Sequence, residues 1–136
     1  MRRIQVAVLA VVLAACSADD APLVATDVVV TEPRPGTQMT AGYLALSNNS
    51  AQPITITRVL SSEFASVEMH ESVIEDGVAR MYPLGELTVP DGGKVTFEPG
   101  GKHLMLTQPT ADSDSVSLEF YAGEAVVLTV NVPFTE

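Results

Sequence analysis

At 136 residues, with 17 acidic against 7 basic side chains and a formal net charge of −10, the chain is sized for one domain and has the wrong charge for a nucleic-acid partner. Its one cysteine excludes an internal disulfide framework. Neither an internal repeat nor a second block of composition divides it.

Chain order begins with Met1-Arg2-Arg3 and an apolar run from Ile4 to Ala15 broken only by Gln5, the charged and apolar regions of a secretory signal. The run is too short for a membrane span, which needs about 20 apolar residues. Leu13-Ala14-Ala15-Cys16 resembles the lipobox of bacterial lipoproteins, which implies cleavage before Cys16 and acylation of that residue. Residues 1–15 are then a lipoprotein signal peptide, residues 16–22 the lipidated cysteine and its tether, and residues 23–136 the folded domain. Several acyl chains on one residue give stable anchoring, since each buried methylene contributes ~0.8 kcal/mol. Cleavage removes Arg2 and Arg3 and leaves a mature net charge of −12, the solvated surface of a small domain. The expected location is periplasmic or otherwise extracytoplasmic and membrane-anchored. Ser17 in place of an aspartate resembles the pattern sent to the outer membrane in a diderm host.

Beyond Leu23 the apolar residues alternate in short runs, the period of strands. Ile54/Ile56, Leu87/Val89 and Val95/Phe97 are brief examples; Val116, Leu118 and Phe120, then Val126, Leu128, Val130 and Val132, are longer ones. Turn residues fall between the runs at Asn48-Asn49, Asp76-Gly77, Asp91-Gly92-Gly93, Pro99-Gly100-Gly101 and Ala122-Gly123. No sustained helical periodicity is present, so about eight short strands are expected in an all-β sandwich or small barrel.

Both histidines lie near a methionine. In His103-Leu104-Met105-Leu106, strand alternation sends the two leucines to the core and leaves His103 and Met105 facing outward together. Asp76-Gly77 predicts a two-residue type I′ hairpin with Glu75 opposite Val78, which sets Met81 opposite Ser72. His70 shares the face of Ser72, so His70 and Met81 become diagonal neighbours at ~7–8 Å between backbones. With Cys16 lipidated, His70, Met81, His103 and Met105 give two imidazoles and two thioethers without a thiolate, a soft set that selects Cu(I) over harder divalent ions. Thioethers also persist in an oxidising compartment, where free thiols pair. Met69, next to His70, should point the other way into the core, whereas Met39 lies in a polar stretch expected to be an exposed loop.

The spacing His, ten residues, Met, twenty-one residues, His-x-Met, carried here by His70, Met81, His103 and Met105, resembles the motif of the periplasmic copper(I) chaperone family PCuAC. Ala41-Gly42-Tyr43, Val67-Glu68-Met69-His70-Glu71 and Pro99-Gly100-Gly101-Lys102 extend the resemblance over most of the mature chain. It implies a cupredoxin-like β-barrel holding one Cu(I) ion per chain near its surface. It also implies transfer to a copper-accepting protein, such as a cytochrome c oxidase subunit or another copper chaperone. Some relatives carry a His- and Met-rich C-terminal tail, where this sequence reads Pro133-Phe134-Thr135-Glu136. The same residues would equally serve a copper-sequestering resistance lipoprotein without a dedicated acceptor. An enzyme is not expected, since His70-Glu71 lacks the second histidine of a His-Glu-x-x-His site.

Overall fold

The computed structural model of the chain describes residues 21–136. The expected signal peptide and Cys16 lie outside the described residues. Eleven strands follow: β1 (Leu23–Val30), β2 (Met39–Asn48), β3 (Ile54–Ile56), β4 (Arg58–Leu60), β5 (Phe64–Glu75), β6 (Val78–Pro83), β7 (Leu87–Val89), β8 (Lys94–Phe97), β9 (Lys102–Pro109), β10 (Ser115–Ala122) and β11 (Ala125–Pro133). The count exceeds the expected eight partly because the run Ile54–Leu60 changes partners at Thr57. Before it, β3 pairs with β7 in a two-stranded sheet; after it, β4 pairs with β5 and β10 in the main one.

The main sheet runs β1-β2-β9-β5-β4-β10-β11, with β6 added to β5 and β8 to β2. Its ends approach each other at a Thr31–Thr135 bridge, where Thr135 N–H donates to Val30 O (2.9 Å) and Glu32 N–H to Thr135 O (3.0 Å). The result is an all-β, nearly closed barrel, with no helix among the described residues long and apolar enough to cross a membrane.

Alternation fills the interior as read from the sequence: Leu104 and Leu106 of β9 and Val116, Leu118 and Phe120 of β10 are fully buried, and Met69 joins them. Gly42 of β2 packs against this interior, where a Cβ would meet Leu106, Val30 and Leu104 at ordinary contact distance. Two expectations are corrected. Val126 is 48% exposed, because a bulge after Phe120 pairs Tyr121 with Val126 and shifts the inward face of β11 to Leu128, Val130 and Val132. Met39 is 55% exposed as expected, yet it opens β2 instead of lying in a loop, paired with Thr107 of β9.

Two polar clasps hold the strand connections. Asn48, buried, donates to Val89 O (3.0 Å) and Gln52 O (2.8 Å) while its Oδ1 accepts from Ser50. Glu63 Oε2 accepts from Ser117 N–H (2.8 Å), Ser117 Oγ (3.0 Å) and Ser61 Oγ (3.0 Å). Burial pushes the Glu63 carboxyl upward, but these donors outweigh it and hold the group below its ordinary value. A depressed folded value means that the ionised clasp stabilises the fold above the unfolded carboxylate pKa and ceases to do so as pH falls through the folded one. Urea titrations should therefore find wild type more stable than Glu63→Gln at neutral pH, with the gap closing in acid; a gap independent of pH would contradict the assignment.

Candidate metal centre

The β5–β6 hairpin has the register read from its turn: Glu75 faces Val78, Ser72 faces Met81 and His70 faces Pro83. Asp76 (φ 51°) and Gly77 (φ 76°) both adopt the left-handed conformation that a type I′ turn demands. Met81 thereby lies diagonal to His70, and its Sδ stands 3.2 Å from His70 Nδ1.

Long-range pairing adds a relation that local patterning did not reveal. β5 and β9 run antiparallel with His70 directly opposite His103 and Glu68 opposite Met105. The two imidazoles meet edge to face, centroids 5.8 Å apart, and His103 Nε2 lies 3.2 Å from the same Met81 Sδ. One sulfur thus contacts a nitrogen from each ring. Met105 shares the face of His103, between Glu68 of β5 and Ala41 of β2.

The remaining ring nitrogens have partners. His103 Nδ1 is 3.2 Å from Gly101 O, and His70 Nε2 is 2.9 Å from Glu68 Oε2. A carbonyl and an ionised carboxylate only accept, so in the neutral rings these nitrogens carry the protons. The unprotonated nitrogens are then His70 Nδ1 and His103 Nε2, the two that face Met81 sulfur. Gly101 is set by a type II turn, with Pro99 second, Gly100 third at φ 82° and Gly101 N–H donating to Glu98 O (3.0 Å). The Gly101 carbonyl also accepts from Ser72 N–H (3.0 Å), tying the β8–β9 corner to β5.

One expectation fails here. His103 lies on the face opposite Leu104 but does not stand open to water; it is only 7% exposed, beneath His70 and Met81. Met81 is 49% exposed on a hairpin strand whose residues are all exposed. Sequence reasoning also missed Glu68 and Gly101 as neighbours of the histidines. Alternation could have found Glu68, two residues before His70 on the same strand face.

Charges near the cluster are mostly paired on the hairpin's other side: Lys102 with Glu71 (3.0 Å), and Glu75 with both Arg80 (3.2 Å) and the Tyr82 hydroxyl (3.0 Å). No group of three or more His, Cys, Asp or Glu side chains among the described residues could hold an ion. An ion held here would depend on methionine sulfur, which favours soft monovalent copper over zinc or magnesium.

A small, nearly closed β-barrel with two imidazoles and a thioether gathered on its outer face describes the class of the molecule. The chain belongs to the LpqE-like family, described as "Putative lipoprotein LpqE-like", whose profile matches residues 23–134. It is 28% identical over 103 residues to "Putative lipoprotein Lxx21020" of Leifsonia xyli subsp. xyli (strain CTCB07), covering 71% of this chain and 62% of that protein. It is 26% identical over 96 residues to "Uncharacterized protein RP573" of Rickettsia prowazekii (strain Madrid E), covering 68% of this chain and 53% of that protein. The matched segment therefore spans only about half to three-fifths of those relatives.

Among solved structures the fold matches the apo PmoF2 PCuAC domain (TM-score 0.66, 19% identity, covering 83% of this chain and 89% of that one). It also matches the copper-bound PCuAC domain from PmoF2 (TM-score 0.64, 19% identity, 83% and 92%). A third match is apo-DR1885 from Deinococcus radiodurans (TM-score 0.62, 23% identity, 100% and 93%). The cupredoxin-like PCuAC fold expected from the sequence is thus the fold of this chain.

Proposed function

We propose that the chain is an extracytoplasmic metallochaperone that carries one Cu(I) on His70, Met81, His103 and Met105. The observation that carries this reading is the approach of His70 Nδ1 and His103 Nε2 to one thioether, each at 3.2 Å, with both opposite nitrogens engaged elsewhere. Metal-binding histidines are held in this way, the far N–H fixed by a carboxylate or carbonyl so that the near lone pair is free. The PCuAC fold, which includes a copper-bound example, supports the same conclusion.

Copper is the cargo, and the burial of its donors suggests an order of exchange. His103 is enclosed, whereas Met81 is half exposed on a projecting strand, so an incoming donor from a partner would displace Met81 first. Neutral thioethers release the ion by ligand exchange without first taking up a proton. Titration of the purified protein with Cu(I) should reach one equivalent per chain. Failure to bind, or uptake with no defined stoichiometry, would refute the carrier reading.

The recipient we propose is a copper-accepting protein on the route to cytochrome c oxidase. A deletion strain should then lose oxidase activity at low copper, with recovery on copper supplementation. Copper sensitivity alone, with intact oxidase, would point to sequestration.

We further propose that residues 1–15 are removed and that Cys16 is lipidated, tethering the domain to its membrane; the lipoprotein family to which the chain belongs supports this. Cys16→Ser should move the protein to the soluble fraction and leave copper stoichiometry intact. Loss of copper binding in that variant would show that anchoring and ligation are not separate.

A further inference from the structure

We infer that Glu68 is a positioning residue that selects Nδ1 of His70 as the ligating nitrogen, an inference that rests on the copper-carrier reading above. The carboxylate lies 2.9 Å from His70 Nε2, two residues back on the same strand face, and directly opposite Met105. It thus sits between two of the proposed donors. The other acidic groups beside the cluster have partners of their own: Glu71 is held by Lys102, and Glu75 by Arg80 and Tyr82. Glu68 is 2.9 Å from the His70 ring, and no other ion pair of Glu68 is found among the described residues.

The consequence is directional. A neutral imidazole has one N–H and one lone pair, and a strong acceptor at one nitrogen places the lone pair on the other. Glu68 claims the proton for Nε2 and leaves Nδ1 free, 3.2 Å from Met81 Sδ. At His103 the assignment is reversed, because Gly101 O takes the Nδ1 proton and leaves Nε2 free, again 3.2 Å from Met81 Sδ. The two histidines, directly opposed on antiparallel β5 and β9, therefore present different nitrogens to the same point, because their rings are held by different partners. Glu68 lies across the ring from that point and acts through His70, not as a donor to the ion. Its negative charge also offsets that of Cu(I) in an otherwise neutral donor set.

The test uses the full chain, wild type beside Glu68→Ala and Glu68→Gln, with Cu(I) alone as the probe. Long-range 1H–15N NMR of the copper-free protein should find His70 as the Nε2–H tautomer in wild type and a mixture in Glu68→Ala. Chelator competition should find Cu(I) bound ~10–100-fold more weakly by Glu68→Ala, the range typical of lost outer partners of metal-bound histidines. Glu68→Gln, whose amide oxygen can still accept from Nε2–H, should recover most of that affinity and the wild-type tautomer. An alanine variant with unchanged tautomer and affinity would overturn the role of Glu68 and leave the carrier reading standing. A wild type that binds no Cu(I) would overturn both. A light-atom (nitrogen or oxygen) donor number in the copper X-ray absorption spectrum of wild type that falls by one in Glu68→Ala would make Glu68 a ligand and overturn the positioning role.

Discussion

Met81→Leu is expected to weaken Cu(I) binding by more than ~100-fold, beyond the loss typical of an outer hydrogen-bond partner of a metal-bound histidine. The reason is its shared position: one sulfur stands 3.2 Å from a nitrogen of each imidazole, so its removal takes the common donor from both halves of the cluster. Stability should hardly change. Met81 is half exposed, and Leu for Met is a near-isosteric exchange that costs less than ~1.5 kcal/mol even when buried. Competition with a Cu(I) chelator, alongside thermal melting of the copper-free protein, separates the two effects. Unchanged affinity would remove Met81 from the ligand set.

The second large effect falls on stability and contrasts neighbouring residues of β9. Leu104 is fully buried, so Leu104→Ala should destabilise the domain by ~2–5 kcal/mol, through lost transfer energy and the cavity left behind. Small domains have only ~5–15 kcal/mol in total, so that change brings unfolding within reach of mild denaturant. Met105, one position on and facing the opposite way, should tolerate Leu at less than ~1.5 kcal/mol while Cu(I) affinity and preference for soft ions decline. Urea unfolding of the two variants reads the first quantity and chelator competition the second. A Met105→Leu protein that loses stability but keeps its affinity would make Met105 a packing residue.

Much of this arrangement follows from short-range rules visible in the chain. The I′ hairpin at Asp76-Gly77 fixes a register, and that register alone places Met81 diagonal to His70. The two-residue period sends Leu104 and Leu106 inward and keeps His103 and Met105 together on the other face. What local pattern cannot supply is the pairing of strands distant in sequence. Nothing within β5 or β9 specifies that His70 should face His103, and only the PCuAC-like spacing hinted that the two pairs belong to one site.

The enclosure of His103 was missed for the same reason. Alternation gives the side of a sheet but not what another hairpin lays over it. Val126 shows the opposite weakness, since a bulge after Phe120 breaks a period that appears regular in the sequence. The change of sheets at Thr57 was likewise invisible, because three-residue strands are too short for alternation to identify their partners.

X-ray absorption on the Cu(I)-loaded full chain tests the central claim most directly, because it separates sulfur donors from nitrogen or oxygen ones. The account predicts two nitrogen and two sulfur donors, with the sulfur signal reduced in Met81→Leu and again in Met105→Leu. A spectrum fitted by nitrogen and oxygen alone, or one unchanged by both substitutions, would contradict it.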